Sequence, residues 1–214
     1  MLVLHYTGMV TAAAALDRLC DPTAKVSAHY LVDEDGTVVA LVAEAARAWH
    51  AGVSWWQGRG GLNDVSLGIE LVNPGHAWGY RPFPERQMAA AVGLCAILVD
   101  RWRIPAGRVV AHSDIAPDRK EDPGELFDWP ALAREGVGRW PEASAAQPSD
   151  VAVAASALAR IGYPGPSQGA PFEVALRAFQ RRYRPNRCDG RLDDESMGLV
   201  MAVADLYDAP ETAT

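Results

Sequence analysis

Residues 84–102 constrain the fold more tightly than any other stretch of the chain. Met88, Val92, Cys95, Leu98, Val99 and Trp102 recur there at intervals of three and four, which lines one side of an α-helix with apolar groups and leaves the other to water. Pro84 opens the stretch and Pro105 closes it. Such a helix needs a flat apolar partner. Short runs of strand type supply one: Leu2-Val3-Leu4-His5-Tyr6, residues 29–32, 37–42 and 67–72, and Arg108-Val109-Val110-Ala111. Residues 11–19 are rich in alanine and stop at Asp21-Pro22, predicting a second helix. Asp33-Glu34-Asp35-Gly36 between two apolar runs predicts a hairpin. The expected fold class is α/β, a mixed central β-sheet flanked by helices.

The chemistry concentrates in His112-Ser113-Asp114-Ile115-Ala116-Pro117-Asp118-Arg119-Lys120-Glu121-Asp122-Pro123-Gly124, where an imidazole, an ammonium and a carboxylate stand at fixed intervals among turn-formers. The preceding apolar run would present His112 at a strand's end, where sites are commonly built. Pro123 disfavours α backbone at Asp122, and Gly124 permits a sharp change of direction, so the aspartate is held extended. Lys120 lies two positions before Asp122, so in extended chain both side chains project to the same side. His5, on the strand face it shares with Val3, would complete a two-His, one-carboxylate zinc site. A catalytic zinc takes three protein ligands and keeps a position for water. Each residue alone has a plainer reading: His5 as a hydrogen-bonded core histidine, Asp122 as part of an Asp-Pro-Gly turn, Lys120 as a solvated loop cation.

Five blocks carry a resemblance. They are Leu2-Val3-Leu4-His5-Tyr6-Thr7-Gly8, Val26-Ser27-Ala28-His29-Tyr30-Leu31-Val32, Ala48-Trp49-His50-Ala51-Gly52, Asn63-Asp64-Val65-Ser66-Leu67-Gly68-Ile69-Glu70-Leu71-Val72-Asn73, and the run from 112 to 124. In these blocks the first 140 residues resemble the zinc-dependent N-acetylmuramoyl-L-alanine amidases of the AmpD/AmiD type. The resemblance implies the same α/β fold, one Zn2+ per chain held by His5, His112 and Asp122, and a catalytic pair, Glu70 and Lys120. It implies hydrolysis of the amide between the lactyl group of N-acetylmuramic acid and L-alanine, in peptidoglycan or muropeptides. The alternative is a non-catalytic protein that binds or senses such fragments; retention of all five residues favours the enzyme. Glu70 would be a carboxylate half-buried in an apolar strand, its pKa raised toward the range of a general base, although an outward-facing place on an alternating strand is the other reading. Lys120 would sit where negative charge develops on the carbonyl oxygen. His29, His50 and Asn63 are candidate substrate-binding residues, each with an equal claim as a packed strand or turn residue. Trp55, Trp56 and Trp78 fall in loops, where they would stack on sugar rings or simply pack. His76 lies in a turn outside the ligand set.

After Trp140 the composition changes. Residues 141–150 read as a linker, and 151–161, 171–183 and 193–207 as three helices, which divides the chain into an amidase domain (1–140), the linker and a helical domain (151–209). Leu158-Ala159-Arg160-Ile161-Gly162-Tyr163, Ala178-Phe179-Gln180-Arg181-Arg182-Tyr183 and Asp189-Gly190-Arg191-Leu192-Asp193 resemble the small peptidoglycan-binding domain of wall hydrolases. By pattern Leu176 and Phe179 are bundle core, while Arg181, Arg182 and Arg184 read as a solvated face. A formal charge of −7 argues against nucleic acid, and no apolar run is long enough to span a bilayer. Cys20, Cys95 and Cys188 are odd in number and scattered, which suggests free thiols. With no signal peptide in the sequence, a cytoplasmic location is expected, or the periplasm and envelope if the coding start lies upstream.

Overall fold

The computed structural model describes residues 1–209. Its strands are β1 (Leu2–Tyr6), β2 (Tyr30–Val32), β3 (Val38–Ala40), β4 (Trp55–Trp56), β5 (Arg59–Gly60), β6 (Leu67–Leu71) and β7 (Val109–Ala111). The helices are α1 (Ala12–Cys20), α2 (Gly75–Trp78), α3 (Glu85–Trp102), α4 (His112–Ile115), α5 (Trp129–Arg134), α6 (Val151–Ile161), α7 (Phe172–Tyr183) and α8 (Asp194–Asp208). Five strands form one sheet in the order β3-β2-β6-β1-β7. The pairs β2/β6, β6/β1 and β1/β7 are parallel, and β3 pairs antiparallel with β2 as the predicted hairpin. This is the mixed, helix-flanked sheet expected from the sequence.

The period of two along the strands sends alternate side chains to different cores. Leu2, Leu4, Ile69 and Leu71 pack with Met88, Ala91, Cys95 and Leu98 of α3. Val3 and Val110 instead join Trp56, Ile115 and the inner faces of α6, α7 and α8. His5 and Glu70 therefore point to the second side of the sheet. Two features of α3 differ from its periodicity. Trp102 is half-exposed at the last turn, whereas Gln87 is fully buried; its amide donates to the carbonyls of Val32 and Val72 at 3.0 and 2.9 Å, bridging the ends of β2 and β6. The helix stops at Arg103, in left-handed backbone (φ 48°), two residues before Pro105.

Arg181, Arg182 and Arg184 do not form a solvated face: all three are buried. Arg182 donates to Asp114 Oδ2 at 2.8 Å and to the Val109 carbonyl at 3.2 Å, and its guanidinium carbon lies 3.9 Å from the ring centroid of Trp129. Tyr163 donates its hydroxyl to the other Asp114 oxygen at 2.7 Å. Trp56 lies in a short strand rather than a loop, and is buried between the sheet side and the helices, its indole N–H donating to Gly107 O at 3.1 Å. The Ala-Phe-Gln and Asp-Gly motifs are architectural. Gln180 accepts from the Gly190 N–H at 2.7 Å and donates to Arg191 O at 3.0 Å, and a Cβ at position 190 would lie 2.4 Å from the Glu173 carbonyl. No helix among the described residues is long and apolar enough to cross a membrane.

Candidate active site

His5 lies on β1, in register with Glu70 on its parallel neighbour β6, the central strand of the sheet. Residues directly opposed on adjacent strands face the same side, so an imidazole and a carboxylate are set side by side on the sheet. β7, the other neighbour of β1, ends at Ala111, and His112 begins α4 immediately afterwards. The chain then turns and returns with Asp122, whose carbonyl accepts from the Ser113 N–H at 2.9 Å. That bond holds the two ends of the 112–122 loop together. The peptide between Asp122 and Pro123 is cis. Arg119 anchors the same loop from outside, donating to the carbonyls of Ala51 (2.7 Å) and Val53 (3.1 Å).

These elements bring His5, His112 and Asp122 into one buried group able to hold a metal ion. His5 Nδ1 is 2.9 Å from both His112 Nδ1 and Asp122 Oδ2, and His112 Nδ1 is 3.0 Å from Asp122 Oδ2. A tetrahedral ion with bonds of about 2.0–2.1 Å separates its ligands by roughly 3.3 Å, close to this spacing. Protonation is consistent with a cation between them. His112 Nε2 lies 3.2 Å from the Ala51 carbonyl; a carbonyl only accepts, so the ring hydrogen belongs on Nε2 and Nδ1 turns a lone pair toward Asp122 and His5. Burial and the neighbouring His112 lower His5 to about 4, against the pull of Asp122.

Glu70 is buried, and its Oε2 has no hydrogen-bond partner. Burial, reinforced by the Asp122 charge and only partly offset by Lys120, raises its pKa well above the ordinary value. Lys120 is half-buried and acts on both Glu70 and His5 through its charge.

The structure assigns other partners to His29, His50 and Asn63. His29 and His50 are buried, while Asn63 is half-buried at the edge of a cavity of about 630 Å³. His29 accepts from the Gly68 N–H at 2.9 Å and has Nε2 3.1 Å from Ala46 O. His50 is buried, with Nδ1 3.0 Å from His5 Nε2 and Nε2 3.2 Å from Ser66 Oγ. Asn63 Oδ1 accepts from the backbone N–H groups of His50 and Ala51 at 3.1 and 2.8 Å. Asn73, fully buried, fixes the turn after β6 by accepting from the Gly75 N–H at 3.0 Å. His76 stays outside the metal group, its Nε2 3.0 Å from Glu125 Oε2. Trp78 is exposed on α2. Sequence reading missed Ser66, Arg119 and Gly68. Only the last carried a signal, since an isolated glycine inside a strand pattern marks a close approach: a Cβ there would lie 2.4 Å from His50 Cγ.

The family profile described as N-acetylmuramoyl-L-alanine amidase, Amidase_2, matches residues 1–125. The chain is 37% identical over 231 residues to N-acetylmuramoyl-L-alanine amidase AmiD of Escherichia coli K12, covering 97% of this chain and 83% of that protein. The solved complex of E. coli AmiD with anhydro-N-acetylmuramic acid-L-Ala-D-gamma-Glu-L-Lys superposes with a TM-score of 0.87 at 37% identity, over 97% of this chain and 89% of that one. AmpDH3 of Pseudomonas aeruginosa superposes with a TM-score of 0.88 at 34% identity, over 98% and 92% of the two chains. By sequence and by fold alike, the chain belongs to the N-acetylmuramoyl-L-alanine amidase family.

Proposed function

We propose that His5, His112 and Asp122 hold a zinc ion, and that Glu70 and Lys120 work beside it to hydrolyse the amide joining the lactyl group of N-acetylmuramic acid to L-alanine. The observation that carries this reading is the convergence of three buried donor atoms, 2.9–3.0 Å apart, next to an unpartnered carboxylate oxygen. When bound, zinc supplies Lewis acidity and brings the pKa of a water down to roughly 7. Glu70 takes the proton of the attacking water, for which its burial and raised pKa suit it. It returns that proton to the amine of L-alanine as the C–N bond breaks. Lys120 meets the negative charge that develops on the lactyl carbonyl oxygen.

AmiD of E. coli was solved with an anhydro-muramyl peptide, and AmpDH3 with an anhydromuramic pentapeptide. Their likeness to this chain supports the same ligand class, muropeptides with an anhydro sugar end, as its substrate. The wall-fragment-binding role of the helices of 151–209 falls to their outward residues, because the motif residues Phe179 and Gln180 are fully buried. The test is incubation of the purified protein with anhydro-muropeptides, with and without chelator, and identification of products by mass. Free stem peptide released only with metal is the expected result. Muropeptide that is bound but recovered intact under both conditions would replace the enzyme by a binding protein.

A further inference from the structure

Which nitrogen of His5 carries its hydrogen is decided away from the metal group. Leu62 O can only accept, and Ser66 Oγ lies 2.6 Å from it, so the serine hydroxyl hydrogen is committed there. Ser66 Oγ is thereby an acceptor toward His50 Nε2 at 3.2 Å, which puts the His50 hydrogen on Nε2. His50 Nδ1, left with a bare lone pair, accepts from His5 Nε2–H at 3.0 Å. His5 Nδ1 is then unprotonated where it faces His112 Nδ1 and Asp122 Oδ2. From this we infer that His50 and Ser66 are positioning residues of the metal site, anchored on the Leu62 carbonyl, which hold His5 in the one tautomer and ring orientation that leave Nδ1 open to a metal ion. The inference rests on the metal-site reading of His5, His112 and Asp122. Reversing the direction of the relay would put a hydrogen on His5 Nδ1 and close it as a ligand.

The surroundings agree. The backbone is shaped for the ring: Gly68 leaves the space a side chain would fill, and Asn63 holds the His50 and Ala51 N–H groups. Residues 50 and 51 thus steer both ligand histidines, His50 through its ring to His5 and Ala51 through its carbonyl to His112.

The test has two readouts besides turnover. Long-range proton–nitrogen correlation spectra of the intact protein, metal-free and zinc-loaded at neutral pH, should show His50 neutral with its hydrogen on Nε2. A hydrogen on Nδ1, or on both nitrogens, overturns the inference and requires no variant. Zinc affinity, measured by competition with a chromophoric chelator, should weaken about 10–100-fold in Ser66→Ala and His50→Phe. His50→Gln, whose side-chain carbonyl can accept from His5 Nε2–H, should recover part of the loss. If His50 and Ser66 only pack, the variants will lower the urea midpoint while zinc Kd stays within about twofold of the parent, an outcome that overturns this inference alone. A parent protein that binds no zinc overturns the metal-site reading and the inference with it.

Discussion

Removing the Arg182 guanidinium should cost a large share of the protein's stability, and the structure lets the cost be apportioned. Arg182 and Asp114 are 3% and 0% exposed. Their 2.8 Å ion pair links α7 to the first turn of α4, beside His112. Asp114 also accepts from Tyr163 OH at 2.7 Å and from the Ala111 N–H at 2.9 Å, while Arg182 reaches Val109 O. In Arg182→Met the stem volume is roughly kept, but Asp114 becomes a buried carboxylate with two neutral donors and no counter-charge. Breaking a buried pair in this way costs about 3–5 kcal/mol, set against a total of about 5–15 for a typical domain. The cation–π contact with Trp129 disappears as well, which places the expectation toward the upper part of that range. Asp114→Asn removes the opposite charge and should cost a comparable amount, yet the double variant leaves no uncompensated charge. Its cost should fall short of the sum by at least about 2 kcal/mol. Urea unfolding with chelator present, so that metal binding does not contribute, measures all four corners of the cycle. A loss below about 1 kcal/mol in Arg182→Met, or strict additivity in the double variant, would refute the view that α7 is tied to the segment carrying His112 by a desolvated pair.

The other expectations follow from the site and the helical region. Glu70→Ala should keep stoichiometric zinc by elemental analysis while turnover falls by about 10²–10⁴-fold, and Asp122→Ala should lose the metal too; full activity in the first variant would remove the carboxylate from the mechanism. Gly68→Ala drives a Cβ to 2.4 Å from the His50 ring, so it should destabilise by about 1–3 kcal/mol in urea titration and weaken zinc binding. Burial opposes the charge on Asp193, but Arg184, 2.8 and 2.9 Å from its two oxygens, and the Ser196 N–H bring its pKa down to about 2. A carboxyl lowered on folding adds stability above its unfolded pKa of about 3.9, stability that is lost as pH falls toward 2. Asp193→Asn should therefore flatten the acid limb of the stability curve in that window, and an unchanged limb would show that the Arg184 pairing contributes nothing there.

What was legible in the sequence, and what was not, divides along a physical line. His5 and Glu70 stand out because an ionisable group inside an apolar strand has to be explained, and His112, Lys120 and Asp122 by their spacing among turn-formers, while the roles given to all five rested on the family resemblance. The helices α1, α3, α6, α7 and α8 were legible as well, because a 3.6-residue period is a local signal, whereas the short α2, α4 and α5 carry too few residues to show one. The register that sets His5 against Glu70 was not, since it is chosen by the packing of strands separated by some sixty residues of chain. Nor was the burial of Arg181, Arg182 and Arg184. A charge run at a helix end reads as solvated until Asp114, 68 positions away from Arg182, arrives beside it. The same reasoning explains why His50 looked like a residue for substrate, whereas its ring stands between His5 and Ser66. Histidine type announces chemistry, but whether a ring meets solvent or another ring depends on a glycine opposite it and a serine sixteen residues on. Donor atoms can therefore be nominated from composition and spacing, whereas the groups that aim them are ordinary Gly, Ser and Asn residues whose role exists only as distance in the folded chain.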